Sequence, residues 1–127
     1  MLRKFFILLA IILVGNVSGG FAQSDTAFWF AAPDLQGNIA SGPGADRPIY
    51  LRISASNSPA DVVISQPASP SFTPIRISIP ANSSRSIDLT LNIAQIENDA
   101  VNTVMKKGLL IQSTAVVSCY YDIVNTR

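Results

Sequence analysis

The 127-residue sequence contains no histidine and a single cysteine, Cys119. Histidine is the base of Ser-His-Asp and Cys-His nucleophilic sites and the commonest metal ligand, so its absence argues against both kinds of site. One cysteine cannot close an intramolecular disulfide, and without histidine it cannot build a zinc site. Cys119 is therefore interpreted as a small buried hydrophobic residue of a strand. We expect no catalytic residue, no metal site and no cofactor.

Charged residues are scarce as well, at 13% of the sequence. Nine are basic and eight acidic; leaving out Arg3 and Lys4 gives seven against eight after residue 22, a net charge of −1. Nucleic-acid binding needs a concentrated basic surface that displaces counterions, so nucleic acid is not an expected partner. The sequence also lacks a glycine-rich phosphate-binding loop with its lysine.

The N-terminus has the three-part layout of a secretory signal peptide. Arg3 and Lys4 precede an apolar run over residues 5–14, and Gly20 and Ala22 place small residues at positions −3 and −1 of a cleavage site. The apolar run is roughly half the ~20 residues that a membrane-spanning helix needs. We expect cleavage after Ala22, a single domain over residues 23–127, and an exported chain without stable membrane insertion.

After residue 22, hydrophobic residues recur at every second position. Residues 49–54, 75–80 and 87–92 alternate aliphatic and polar side chains, which is the pattern of half-buried strands and places Leu91 in the core. Further strand candidates are residues 26–31, 62–64, 108–111 and 116–123. Seven candidates separated by Pro-, Ser- and Asn-containing turns predict an all-β fold, an antiparallel β-sandwich of Ig-like or jelly-roll-like type.

Two stretches depart from this alternation. Residues 34–48 are glycine-rich and polar, and are interpreted as a long loop. Residues 93–107 carry hydrophobic residues at roughly helical spacing, which predicts one or two helical turns at an end of the sandwich.

Aromatic residues are the strongest binding candidates, because exposed rings form platforms for sugars. The ligand-contacting candidates are Trp29, Tyr50 and Tyr120. Tyr120 and Tyr121 are neighbours in a strand, so one should face the core and the other solvent. Trp29 lies between two phenylalanines, and we expect a core position for it rather than display on the surface.

Carboxylates permit two further interpretations. A glycosidase needs only two acids, but the aspartates are scattered, and Asp88 and Asp122 fall on polar strand faces that suggest solvation. Oxygen-bearing side chains in the 34–48 segment suit calcium, although Asx-turn caps in a solvent loop are the preferred interpretation. The calcium candidates are Asp34, Gln36, Asn38 and Asp46.

A series of short blocks follows a recognisable order, beginning with Phe28-Trp29 shortly after the leader. The blocks cover residues 26–33, 50–53, 62–67, 72–74, 79–83, 107–113 and 117–121. Together, over residues 25–124, they resemble the IgGFc-binding protein N-terminal domain family. The resemblance implies an exported multidomain protein, extracellular or at the cell surface, of the kind found in Bacteroidota. It also implies adhesion as the usual role and further domains in a longer parent chain. Family domains continue beyond the Tyr-Tyr strand, so we expect a domain incomplete at its C-terminus whose last strand forms an open sheet edge.

Three functions are consistent with these patterns. The first is a non-catalytic adhesion or structural module that binds a protein or glycan at the cell surface. The second is a carbohydrate-binding module, and the third, which the scattered acids favour least, is a secreted carboxylate-dependent hydrolase.

Overall fold

The computed structural model describes residues 23–33, 49–100 and 102–123. The predicted signal peptide with its cleavage after Ala22, the predicted loop at 34–48 and its calcium candidates lie outside these ranges. Within them, no helix has both the length and the apolar character needed to cross a bilayer.

The described residues form strands and two short helical turns. The strands are β1 (Ser24–Phe30), β2 (Ala32–Pro33), β3 (Ile49–Ala55), β4 (Ala60–Ser65), β5 (Ile75–Ile79), β6 (Ser84–Asp88), β7 (Glu97–Asn98) and β8 (Leu109–Ile123). A 3₁₀ turn (Thr90–Asn92) and the helix α1 (Ile93–Ile96) lie between β6 and β7. The helical turn predicted within residues 93–107 is therefore confirmed.

Six strands make one antiparallel sheet in the order β5-β4-β8-β3-β6, and β1 also pairs with β8. The sheet curves into a nearly closed, barrel-like shape around one interior. The short strands β2 and β7 pair separately and in parallel. The predicted all-β, antiparallel fold is confirmed.

The strand β8 organises the sheet. Its first half pairs with β4 through Ser113, its second half pairs with β3 from Val117 onward, and β1 pairs with both halves. Residues 114–116 have no register partner in these ladders, and they mark the irregularity at which β8 passes from one partner to the next. The prediction of two strands at 108–111 and 116–123 is wrong, since one strand covers both.

The expected open edge applies only to the end of the last strand, because residues 119–123 of β8 pair with β3 and have no second partner among the described ladders. At residues 110–112 β8 lies between β1 and β4, and at residues 117–118 it lies between β1 and β3. The last strand is therefore interior to the sheet over these residues. A strand that pairs on both sides does not offer its backbone for further pairing there.

Aliphatic side chains from alternate strand positions fill the interior. Ile49, Leu51 and Ile53 of β3 have no exposed surface, whereas Tyr50 and Arg52 between them reach the outer face. Burying such a side chain contributes ~1.5–3 kcal/mol. The same cluster takes in Val62 and Ile64 from β4, Ile79 from β5, and Leu109, Ile111 and Val117 from β8.

Leu91 departs from the predicted pattern. The strand β6 ends at Asp88, whose Oδ1 accepts a hydrogen bond from the backbone N–H of Thr90 at 2.8 Å and starts the 3₁₀ turn. Leu89 remains fully buried, but the turn rotates Leu91 into solvent, where it is 99% exposed. The predicted core position of Leu91 is wrong because the period of two ends with the strand.

Candidate functional site

Two neighbouring strands present a cluster of aromatic and charged side chains on the outer face of the sheet. In the antiparallel register Tyr50 lies opposite Asp122, and Arg52 lies opposite Tyr120. Side chains opposite and diagonal to one another on one face of a sheet are close enough to interact. We call these four residues, Tyr50, Arg52, Tyr120 and Asp122, the β3–β8 face.

Arg52 is the centre of the β3–β8 face. Its Nε donates to Asp122 Oδ2 at 2.8 Å, and its guanidinium carbon lies 5.4 Å from the ring centroid of Tyr50. The hydrogen bond to Asp122 is the main cause that raises the pKa of Arg52. Both side chains of the ion pair remain about one-third exposed, at 35% and 36%, so the pair is held in place yet open to a ligand.

Tyr120 is the most accessible ring of the face. It is 58% exposed, whereas Tyr121 turns inward and its ring centroid lies 4.6 Å from that of Phe30. The prediction that one of the two tyrosines faces the core and the other faces solvent is confirmed. Tyr50 is half-buried under Arg52.

Small polar residues surround the four side chains. On β6, Asp88 lies opposite Tyr50 and Ser86 opposite Arg52, while Ser54 of β3 lies opposite Ser118 of β8. A shallow cleft of about 290 Å³ continues the face past Ser54 and Ser118. The result is a largely polar surface with two aromatic rings and no deep cavity.

Trp29 is exposed, which corrects the expectation of a core position. It is 69% exposed on β1, while its neighbours Phe28 and Phe30 pack against the core. Strand alternation puts the two phenylalanines on one face and the tryptophan on the other, and two rings bury more area than one. Trp29 lies opposite Leu110, ten residues before Tyr120 along β8, so it does not join the β3–β8 face.

The aspartates of the described strands are engaged by neighbouring side chains and backbone groups. Asp88 and Asp122 flank Tyr50 from its two sides, so their backbones are two strand spacings, about 10 Å, apart. Hydrogen bonds from the side chain and the backbone of Thr90 lower the pKa of Asp88, the opposite of what a general acid needs. Asp122 is engaged by Arg52, and Asp61 accepts a hydrogen bond from Ser78 at 2.5 Å.

The described residues offer neither a cluster of metal ligands nor a reactive thiol. Residues 23–33, 49–100 and 102–123 hold no group of three Cys, Asp or Glu side chains suited to a metal ion. Cys119 packs against the core, and burial raises the pKa of its thiol to about 11. A thiol that stays protonated at neutral pH is a poor nucleophile, as expected for a packing residue.

Tyr50 and Tyr120 were visible as candidates in the sequence, but Arg52 and Asp122 were missed as a functional pair. Both occupy polar positions of alternating strands, which signals only that they face outward. Their contact spans 70 residues of sequence and depends on the register between β3 and β8. A one-residue change of register would turn either side chain to the other face.

No protein-family model matches the sequence, and no curated protein matches it either. Among solved structures, the Anabaena sensory rhodopsin transducer is similar over 80% of this chain and 99% of that chain, with 17% sequence identity and a TM-score of 0.42. A likeness of this degree carries no argument about function.

Proposed function

We propose that the chain is a non-catalytic binding module of an exported protein, with an adhesive or structural role at the cell surface. The observation that carries the proposal is the β3–β8 face, where an ion pair, a cation–π contact and an exposed tyrosine lie side by side. Export rests on the leader-like N-terminus, and the surface location rests on the family resemblance of the sequence blocks.

The composition of the β3–β8 face fits binding better than catalysis. Tyrosine and arginine are enriched at the energetic centres of protein interfaces, and tyrosine with serine dominates antibody combining sites. Arg52 is held by Asp122 and Tyr50, so binding need not order a flexible side chain. The sequence contains no histidine, which removes the commonest general base.

The sequence blocks that resemble the IgGFc-binding protein N-terminal domain family support the same proposal. That resemblance implies adhesion by a multidomain surface protein. In this proposal the partner is a protein or glycan of a cell envelope, and the β3–β8 face is the contact surface.

Carbohydrate binding is the second candidate, and the exposure of Tyr120 favours it. A ring that is 58% exposed gives a sugar a surface on which to stack, with the Asp122 carboxylate and the Arg52 guanidinium beside it for hydroxyl groups. The flat shape of the face suits a chain of sugars more than a small molecule enclosed in a pocket.

The first test measures adhesion of the full-length chain to intact bacterial cells, with Arg52→Gln and a matched control. Arg76 is also an exposed strand arginine, but it lies on β5, outside the β3–β8 face. We expect Arg52→Gln to reduce cell binding several-fold and Arg76→Gln to leave it unchanged. Equal loss in the two variants would contradict a role for this face.

The second test is a glycan array probed with the labelled parent chain. A signal that depends on Tyr120 would favour the carbohydrate candidate over protein adhesion. If the parent chain gives no signal on any glycan while cell adhesion persists, carbohydrate binding is excluded and the protein partner remains.

A further inference from the structure

A second polar site lies away from the β3–β8 face, in a cleft of about 370 Å³. One wall comes from the connection between β4 and β5, and the other from the segment that leads into β8. We call it the Gln66 cleft and define it by Gln66, Ser69, Ser71, Lys106 and Lys107. Its volume is at the low end for small-ligand sites, of about 300–1,000 Å³.

Gln66 is the one buried polar side chain among the described residues, with 4% of its surface exposed. Its Nε2 donates to the backbone carbonyls of Gln95 and Lys107, at 2.9 Å each. Only the amide nitrogen can donate, so these two bonds determine the orientation of the amide group. Both amide hydrogens are engaged, so a ligand in the cleft can hydrogen-bond to the Gln66 side chain only through the acceptor Oε1.

The serine wall of the cleft is a hydrogen-bonded turn attached to the core. The backbone N–H of Ser69 donates to the Gln66 carbonyl at 2.9 Å, and Phe72, 4% exposed, anchors the same turn in the core. The hydroxyl groups of Ser69 and Ser71 lie 3.1 Å apart. Each hydroxyl has one donor and two acceptor positions, so the pair retains capacity for ligand hydroxyls.

Within residues 23–33, 49–100 and 102–123, the opposite wall carries one lysine, Lys106, without an ion pair. Lys107 Nζ lies 3.1 Å from Asp99 Oδ1, and this hydrogen bond is the main cause that lowers the pKa of Asp99. Lys107 and Asp99 thus balance one another, while the neighbouring Lys106 is exposed at the cleft. Beside it Val104 is 98% exposed, which adds an apolar patch to a polar site.

We propose that the Gln66 cleft binds an acidic monosaccharide, a sugar ring that bears one carboxylate. Gln66 Oε1 and the hydroxyls of Ser69 and Ser71 meet the sugar hydroxyls, and Lys106 pairs with the carboxylate. The carbon–hydrogen face of the ring lies against Val104. This site shares no residue with the β3–β8 face and stands independently of the function proposed for that face.

The test is an NMR titration of the ¹⁵N-labelled full-length chain with D-glucuronate, D-glucose and acetate as probes. We expect saturable shifts of the Ser69, Ser71 and Lys106 amides with glucuronate, weaker shifts with glucose, and no saturation with acetate. Lys106→Gln should weaken glucuronate binding about five- to tenfold, the effect of losing one exposed charge-assisted hydrogen bond, and leave glucose unchanged. Ser71→Ala should weaken both sugars.

Arg76→Gln removes an exposed cation from β5 and serves as the charge-matched control, with no expected change. The proposal is overturned if glucuronate gives no saturable shifts up to about 50 mM, a range that covers millimolar dissociation constants. It is overturned as well if Lys106→Gln binds glucuronate like the parent chain. Shifts confined to the amides of Tyr120 and Asp122 would reject the Gln66 cleft while supporting sugar binding at the β3–β8 face.

Discussion

At the scale of single residues, Arg52 shows how a surface side chain becomes a recognition element. An isolated arginine on a strand samples many rotamers, and ordering it opposes binding. Here Asp122 holds Nε at 2.8 Å and the Tyr50 ring lies beneath the guanidinium. These two contacts therefore fix the orientation of the guanidinium, including its Nη atoms, before a ligand binds.

Cys119 provides a prediction at the same scale. Because burial raises the pKa of its thiol to about 11, we expect native protein at pH 8 to react with iodoacetamide much more slowly than protein unfolded in guanidinium chloride. The measurement is the alkylation rate by mass spectrometry. Equal rates in the two states would contradict the packed position of Cys119.

The raised pKa of the Cys119 thiol also makes the free energy of unfolding depend on pH. The folded state disfavours the thiolate, so the contribution of Cys119 is complete below pH 9 and is lost as pH rises toward about 11. The free energy of unfolding of the parent chain should therefore fall over this range relative to Cys119→Ala, measured by urea denaturation at each pH. Parallel curves for the two proteins would contradict this.

At the scale of elements, the alternating pattern predicts that Leu51 and Leu91 are both buried, but β6 ends at Asp88, before Leu91. Leu51 of β3 has no exposed surface, and Leu91 in the 3₁₀ turn is 99% exposed. We expect Leu51→Ala to lower the free energy of unfolding by about 2–5 kcal/mol and Leu91→Ala to change it by less than about 0.5 kcal/mol. Urea denaturation measures both, and comparable losses would show that Leu91 is packed.

The irregularity in β8 gives a second prediction for an element. Gln112 pairs with both β1 and β4, whereas Val116 lies in the stretch without a register partner and is 49% exposed. Proline removes a ladder hydrogen bond, so Gln112→Pro should cost about 3 kcal/mol or more and Val116→Pro clearly less. The midpoints of urea denaturation provide the comparison. A reversed order would contradict the pairing of β8.

At the scale of the whole molecule, alternation in the sequence was enough to predict an all-β antiparallel fold. Residues 49–53 show why, since three aliphatic side chains at every second position have one face to bury. The alternating pattern does not determine the length of a strand, and for this reason it predicts two strands where β8 is continuous. The pattern does not determine where a strand ends either, so it predicts a buried Leu91 although β6 ends at Asp88.

The candidate site was predictable only in part, for a related reason. Tyr50 and Tyr120 could be recognised as outward-facing rings, but pairing between distant strands decides which exposed residues meet. That pairing joins both tyrosines to Arg52 and Asp122 and places Trp29 elsewhere on the sheet. The inward position of Phe28 and Phe30 explains the exposure of Trp29, since the local pattern fixes opposite faces but not which of them is buried.

The most direct test of the β3–β8 face compares Tyr120→Ala with Trp29→Ala, which each remove an exposed aromatic ring from an outer face of the same sheet. Binding of both variants is measured on intact bacterial cells and on the glycan array beside the parent chain, after circular dichroism has confirmed their fold. We predict that Tyr120→Ala loses most of the binding and that Trp29→Ala keeps it. Full binding by Tyr120→Ala, or its loss in Trp29→Ala alone, would contradict the account.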